Sequence, residues 1–226
     1  MNLLDLSVVN EYGSVFLQGL AVTTFLTLVV ILLAGVLAVP LALARMSARR
    51  WIRWPADFYV EFIRATPLIL QLIYIYYVLP SAGIRLEPVT AAIIGLTVNY
   101  SAFMSEVYRS GIQAVPKSQY EAAQSLGLSP TITFVKIIFP QAFRTVLPAL
   151  GNYLIALFKD TALASVVTVQ ELMFSGQIVA ARNYQYFTVY TLTAILYFSV
   201  GFPAALLVRR LEHWSRRGWA SADRKS

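Results

Sequence analysis

Two carboxylates stand in otherwise apolar stretches of this sequence, and they are the side chains with the clearest chemical potential. Asp160 and its neighbour Lys159 are the only charged residues in 145–170, and Glu106 follows the uncharged stretch 88–105. If these stretches cross a membrane, each acid needs a partner, water or a functional role. Neighbouring residues do not face each other on a helix, so Lys159 does not pair with Asp160. For Asp160 we expect either contact with a polar solute or a structural role at a helix end.

Glu106 shares a helix face with two other residues, because Asn99, Phe103 and Glu106 are spaced i, i+4 and i+7. Two interpretations of Glu106 are open. One is an ion pair with Arg109, three residues further on, and the other is a role in a translocation pathway.

Gln71 is a neutral polar residue in another uncharged stretch, 65–84. It lies about one turn beyond Pro67, which is expected to break or bend its helix. Gln71 is therefore available for a hydrogen bond between helices.

A polar loop, 117–140, separates two of the apolar stretches. Gly127 can end a short helix, and Pro130 can begin a second one at its first turn. The small residues Ala122 and Ala123 let another surface approach closely, and Glu121 offers a hydrogen-bond acceptor. The sequence predicts two short helices at an angle, which together present a docking surface.

The apolar stretches must position these residues, and they predict membrane helices. The chain has 226 residues, of which 58% are hydrophobic and 13% charged, against about 25% charged in soluble proteins. A bilayer span needs about 20 mostly apolar residues. Five transmembrane helices are predicted, near 15–44, 60–80, 89–112, 142–165 and 186–209.

The basic residues are distributed asymmetrically between the predicted sides. The segment after the first span, the loop 117–140 and the C-terminus together hold 15 of the 18 Lys and Arg residues. The three exceptions are Arg85, Lys159 and Arg182. The positive-inside rule then places the loop and the C-terminus in the cytoplasm and the N-terminus outside. The net charge of +7 follows from this topology, so a nucleic-acid partner is not expected.

Several chemistries have no support in the sequence. The chain lacks cysteine and contains one histidine, so we predict no metal site, and no catalytic residue is proposed. It has no phosphate-binding motif of the form G-x-x-x-x-G-K-[ST]. We see no internal repeat and no soluble domain. The prediction is an all-α polytopic membrane protein in which residues 1–226 form one domain.

The loop 117–140 resembles the EAA loop of ABC importer permeases. That family's pattern is EAA, three residues, G, nine residues and I-x-L-P. The matching residues are Glu121, Ala122, Ala123, Gly127, Ile137 and Pro140, with Phe139 in place of the usual Leu. The resemblance implies that this loop is a coupling helix docked on a cytoplasmic ABC ATPase dimer. ATP and Mg would be bound by that partner, with no cofactor in this chain.

Three further segments resemble the polar amino acid branch of these permeases. They are Phe62–Leu68, Ser110–Val115 and Lys159–Leu163, with Ser110 and Ala162 departing from the branch pattern. The resemblance implies that Asp160 binds the ammonium group of a zwitterion, with help from the Thr161 hydroxyl. The implied substrate is a polar amino acid, or a compatible solute such as ectoine, or an opine. Asn99, Gln71 and Glu106 complete the predicted pathway.

The same resemblance implies a multi-pass subunit of the bacterial inner membrane. Its partners would be an identical or sister permease, a periplasmic or extracellular solute-binding protein, and membrane lipid. The segment 166–185, with Gln170, Glu171 and Gln177, is expected on the outer surface, where a binding protein would dock. A secondary transporter or channel without ATP is the alternative, although no inverted repeat supports it. A membrane scaffold is disfavoured by the acids in the apolar stretches.

Overall fold

The protein is described here from a computed structural model, which defines residues 7–217. These residues form helices joined by short connections, and no strand occurs between residues 7 and 217. The expected sides of the two chain ends concern residues 1–6 and 218–226, which lie outside the described residues.

The helices follow one another as α1 to α9. Their bounds are α1 Ser7–Arg45, α2 Arg50–Ala65, α3 Leu68–Ile73, α4 Pro88–Gln113, α5 Lys117–Ser125, α6 Pro130–Thr133, α7 Phe139–Asp160, α8 Leu172–Asn183 and α9 Tyr186–Arg217. Four short segments extend these helices without a long loop. A π turn, Tyr74–Val78, and a 3-10 turn, Leu79–Ala82, follow α3; a π turn, Phe134–Ile138, joins α6 to α7; and a 3-10 helix, Thr161–Val167, follows α7.

Three helical stretches in the described part of the chain are long and apolar enough to cross a membrane: Ser7–Arg45, Pro130–Val167 and Tyr186–Glu212. A fourth is formed if Arg50–Ala65 and Leu68–Ala82 together make one bent span. The predicted span 89–112 corresponds to α4, which has 26 residues. This helix is less apolar because it is interior and buries polar residues such as Thr97, Asn99, Ser101 and Ser105.

The predicted second span, 60–80, is not one straight helix. The chain turns by 103° between Arg50–Ala65 and Leu68–Ala82. Thr66, with φ −107° and ψ 138°, is extended, because the residue before a proline is driven out of the helical region. The expected break at Pro67 is therefore confirmed, and it makes α2 and α3 separate elements.

The predicted loop 117–140 contains one separate short helix, not two. Helix α5 ends before Gly127, whose φ of +70° is the left-handed conformation that favours glycine at a helix end. Ser129 caps α6 by accepting a hydrogen bond from the Ile132 amide, and Pro130 occupies the first turn, as predicted. The second helix, however, continues into α7, so that Pro130–Val167 forms one long stretch.

Helix α4 packs against α1 through small residues. Ala34 and Ala38 of α1 are buried beside Leu96, Tyr100 and Met104 of α4. A helix surface of alanines allows close approach in a membrane, where packing has to supply the attraction between helices. This contact holds α4 at the centre of the bundle.

Helix α8 lies against α1 and α9, and its start is buried. Val8, Phe16, Leu172, Val179 and Val189 form one buried cluster from these three helices. The Glu171 side chain is buried, with an exposed fraction of 0%, so it is not available on the surface where a binding protein was expected to dock. Its neighbour Gln170 is exposed.

Candidate functional site

A cavity of about 300 Å³ lies where the start of α3 meets α4 and α7. Its walls are mainly aromatic and aliphatic, with five side chains that carry a polar group: Thr66, Asn99, Tyr100, Tyr153 and Asp160. The lining residues are Thr66, Leu68, Asn99, Tyr100, Phe103, Tyr153, Ala156, Asp160 and Leu163. Two predicted pathway residues, Asn99 and Asp160, are therefore brought together.

Asp160 is the last residue of α7, at the point where the α-helix gives way to the 3-10 helix. The Tyr100 hydroxyl donates a hydrogen bond of 2.7 Å to Asp160 Oδ2. Tyr100 is 4% exposed, so its hydroxyl is fixed in the wall of the cavity. Lys159 is exposed and points away from this site, as expected for adjacent helical residues. Asp160 is accordingly accommodated by a tyrosine and a cavity, with one oxygen available to a ligand.

Gln71 makes hydrogen bonds at the break between α2 and α3, beside the cavity. Its Nε2 donates to the carbonyl of Ile63 at 2.9 Å and to the Thr66 hydroxyl at 2.8 Å. Its Oε1 accepts a hydrogen bond of 3.1 Å from Asn99 Nδ2. Pro67 lacks an N–H, so the Ile63 carbonyl has no backbone donor one turn later and is instead bonded by the side chains of Gln71 and Thr66. The predicted interhelical bond of Gln71 is confirmed, and it locates Asn99 in the cavity wall.

Aromatic rings form the opposite wall of the cavity. Tyr153 makes an edge contact with Tyr100, with centroids 6.1 Å apart, and a tilted contact with Phe103 at 6.3 Å. The Arg64 guanidinium lies 5.6 Å from the centroid of the Phe103 ring. Such a cation–π contact holds a positive charge next to the cavity. Tyr100 and Tyr153 were not among the pathway residues predicted from the sequence.

Thr161 does not line this cavity. It is fully buried, and its hydroxyl donates to the Phe158 carbonyl at 2.8 Å. Serine and threonine hydroxyls commonly bond a carbonyl one turn back in this way.

Glu106 lies in an ion-pair network and is not among the residues lining the cavity. It pairs with Arg109, as one interpretation predicted. It also accepts a hydrogen bond of 2.6 Å from Arg45 Nη1, while Arg45 Nε donates to Asp57 at 2.9 Å. The Arg45 side chain is only 8% exposed, and its two ion pairs link the end of α1 to the middle of α2 and to α4. The sequence pattern contained no signal for this central role of Arg45.

The loop around α5 forms a second candidate surface. Glu121 and Ala122 are exposed, and the Leu126 side chain is 76% exposed. Ala123 is 2% exposed, so its small size serves packing within this chain and not contact with another one. Ile137 and Pro140 line a neighbouring groove together with Lys136, Gln141 and Arg144. Gly127 contributes the turn between α5 and α6.

Glu171 is a further polar centre, between the candidate spans Pro130–Val167 and Tyr186–Glu212. It caps α8 by accepting hydrogen bonds from the amides of Met173 and Phe174, at 2.8 and 2.7 Å. It also accepts one of 2.8 Å from the Tyr197 hydroxyl. Burial raises the pKa of the Glu171 carboxyl above its ordinary value, and these hydrogen bonds oppose that shift. Glu171 thereby ties α8 to α9.

Residues 31–217 match the family described as the binding-protein-dependent transport system inner membrane component. The chain is 42% identical over 193 residues to a probable amino-acid ABC transporter permease protein of Sinorhizobium fredii, covering 85% of this chain and 84% of that one. It is 39% identical over 196 residues to a probable amino-acid ABC transporter permease protein of Bacillus subtilis, covering 87% of each.

The fold is similar to one already seen in a solved structure. It matches a chain of an amino acid ABC transporter crystallised with histidines, with a TM-score of 0.87 and 35% sequence identity. The match covers 95% of this chain and 99% of that one.

Proposed function

The chain belongs to the family of binding-protein-dependent transport inner membrane components, as the permease subunit of an ABC importer, and we propose that its cargo is a polar amino acid or a similar zwitterion. The observation that carries this proposal is the Asp160 carboxylate at the wall of a cavity of about 300 Å³. Similarity to permeases named for amino acids supports the same substrate class.

The charges around the cavity suit a zwitterion. The free oxygen of Asp160 offers a charge-assisted hydrogen bond to an ammonium group. Arg64, held 5.6 Å from the Phe103 ring, offers a cation to a carboxylate. Asn99 supplies a neutral polar contact between them. The aromatic walls from Tyr100, Phe103 and Tyr153 would cover the apolar part of a small solute.

Coupling to ATP is assigned to the exposed loop. Glu121, Ala122 and Leu126 form a surface that a cytoplasmic ABC ATPase would cover, and ATP and Mg would be bound by that ATPase. The link from this loop to the cavity is continuous, because α6 runs into α7, which ends at Asp160. Displacement of the loop on ATP binding would thus move a wall of the cavity.

The proposed topology has five spans in the bacterial inner membrane. They are α1, the end of α2 together with α3 and the turns that follow it, α4, the stretch from α6 through α7, and α9. The basic residues place α5 on the cytoplasmic side. Helix α8 then lies toward the outside, where a solute-binding protein would deliver cargo. A second permease, identical or related, would complete the pathway.

Transport by the complete complex tests the assignment of Asp160. With ATPase and binding protein reconstituted in liposomes, Asp160→Asn should raise the KM for labelled amino acids by about tenfold or more, since a hydrogen bond to a charged group is lost. The matched change Glu87→Gln alters an exposed carboxylate at the start of α4 and should leave the KM unchanged. Equal uptake by Asp160→Asn and the native protein would remove Asp160 from the substrate site.

A further inference from the structure

Helix α2 carries a row of exposed aromatic side chains that no part of the described chain covers. Trp51, Trp54, Phe58 and Phe62 are 71%, 71%, 60% and 55% exposed. Successive rings stack along the helix, with centroids 6.0 Å apart between Trp54 and Phe58 and 6.1 Å apart between Phe58 and Phe62. Their spacing of three and four residues makes them one continuous stripe. We call this set the α2 stripe.

The other side of α2 is fixed to the protein. Ala56, Val60 and Ile63 are buried against α1 and α4. The acids of α2 are paired with arginine, since Asp57 bonds to Arg45 at 2.9 Å and Glu61 lies 3.9 Å from the same arginine. The orientation of the α2 stripe is therefore set by packing, so the stripe faces away from its own bundle.

Three arginines border the α2 stripe at its first turn. Arg49, Arg50 and Arg53 are exposed, and none of them forms an ion pair with any residue between 7 and 217. Because the acids of α2 are turned toward Arg45, the unpaired charge beside the tryptophans is entirely positive. The expected complement is a surface of negative charge next to an apolar layer.

The position of α2 in the chain favours a lipid as that surface. The apolar helix α1 ends at Arg45, and α2 begins only five residues later at Arg50, so the start of α2 lies at the membrane face where α1 emerges. Tryptophan is enriched at this depth, where its ring contacts acyl chains and its N–H meets the headgroups. Amphipathic helices with arginine on the polar side lie along such a surface.

A second copy of this permease fits the patch less well. If the α2 stripe met itself across a two-fold axis, Arg49, Arg50 and Arg53 would approach their own copies. Charged residues are depleted from the centres of protein interfaces.

We propose that α2 is a binding site for anionic phospholipid headgroups, with the α2 stripe inserted below them. This inference is independent of the transported solute.

Substitution of an arginine beside the α2 stripe tests whether the site selects anionic lipid. The full chain is placed in nanodiscs of phosphatidylcholine and phosphatidylglycerol, and the lipid retained on the extracted protein is measured by native mass spectrometry. The native protein should be enriched in phosphatidylglycerol, and Arg50→Gln should lower that enrichment by about fivefold at low salt. Arg85→Gln, which alters an exposed arginine in the connection before α4, should leave it unchanged. An equal fall in both variants, or no enrichment, would overturn the proposal.

Two further measurements keep the proposal testable if the arginine variants fold poorly. With the native protein, enrichment should decline as salt rises, because screening weakens exposed charges. Trp214→Phe and Trp219→Phe together leave Trp51 and Trp54 as the remaining tryptophans of the four in the chain. Lipids brominated near the headgroup should quench their fluorescence. Absence of quenching, with the tryptophans instead crosslinked to a second permease, would assign the α2 stripe to a protein interface and overturn the lipid site.

Discussion

The hydroxyl of Tyr100 donates a hydrogen bond of 2.7 Å to Asp160 Oδ2, which joins the middle of α4 to the end of α7. The two residues are 60 positions apart in the chain. This bond holds one oxygen of the carboxylate in the cavity wall and leaves the other toward the cavity. The proposed substrate site therefore depends on a contact between two helices that have different roles. Helix α4 is central and buried, while α7 continues from the exposed loop.

Tyr100→Phe is expected to weaken the structure around Asp160. The change removes a donor to a carboxylate, so we expect a loss of about 1–3 kcal/mol, measured as a lower thermal unfolding midpoint in detergent. Tyr153→Phe is the matched control, because its hydroxyl forms no hydrogen bond with any other residue in the described range. An unchanged midpoint for Tyr100→Phe would show that the bond contributes little.

Gln71→Leu is expected to destabilise the break between α2 and α3. The substitution removes the shorter of two side-chain hydrogen bonds to the Ile63 carbonyl and the acceptor for Asn99. Each polar group left unpaired costs about 1–3 kcal/mol, and a lower unfolding midpoint should follow. The exposed Gln170→Leu should have little effect. Equal midpoints for the two variants would contradict the capping role of Gln71.

Arg45→Met is expected to lower the free energy of unfolding. It leaves Asp57 and Glu106 without their shared cation. Removing one member of a buried ion pair costs about 3–5 kcal/mol. Because Asp57 is 41% exposed and Glu106 is 27% exposed, we expect a smaller loss of about 2 kcal/mol.

A double-mutant cycle tests whether Arg45 stabilises the protein through its ion pair with Glu106. Arg45→Met combined with Glu106→Gln should cost less than the sum of the separate changes, since the two residues contact each other. Additive losses would indicate that Arg45 acts through its packing alone.

Glu121→Arg is expected to leave the fold intact and to weaken capture of the ATPase. Glu121 is exposed, and its carboxylate has no partner among residues 7–217, so unfolding should be unchanged. Reversal of charge at the docking surface should lower ATPase binding by about tenfold or more, measured by co-purification. Gln124→Arg, at another exposed position of α5, provides the control. If Glu121→Arg captured as much ATPase as the native protein, Glu121 would be excluded from the contact with the ATPase.

Gly19→Ala is expected to disturb the packing of α8 on α1. A Cβ at Gly19 would lie 2.5 Å from Ser175 Oγ and 3.0 Å from the Leu172 Cα. Overpacking of this kind costs about 1–3 kcal/mol, which should lower the unfolding midpoint. At Gly13 an added Cβ meets nothing within 4 Å, so Gly13→Ala should be neutral or slightly stabilising. A similar response at both positions would argue against a tight contact.

The loop 117–140 illustrates which structural features can be predicted from local sequence. The end of α5 near Gly127 and the start of α6 at Pro130 were predicted, because helix ends depend on the residue itself and its immediate neighbours. The break at Pro67 was predicted for the same reason. The continuation of α6 into α7 was not, since Pro140 and Pro148 disfavour a helix locally and only tertiary packing decides whether one forms.

Apolar patterning by itself predicted a helical membrane protein, and the resemblance of the loop residues to the EAA pattern indicated the permease family. These properties depend on the lengths of the apolar stretches and on the positions of glycine, proline and charged residues along the chain. The tertiary structure decided which polar groups meet. The Tyr100–Asp160 bond, the Arg45 network and the burial of Glu171 each join residues far apart in the chain. Such contacts depend on how helices rotate and approach one another, which the period of a single helix does not specify.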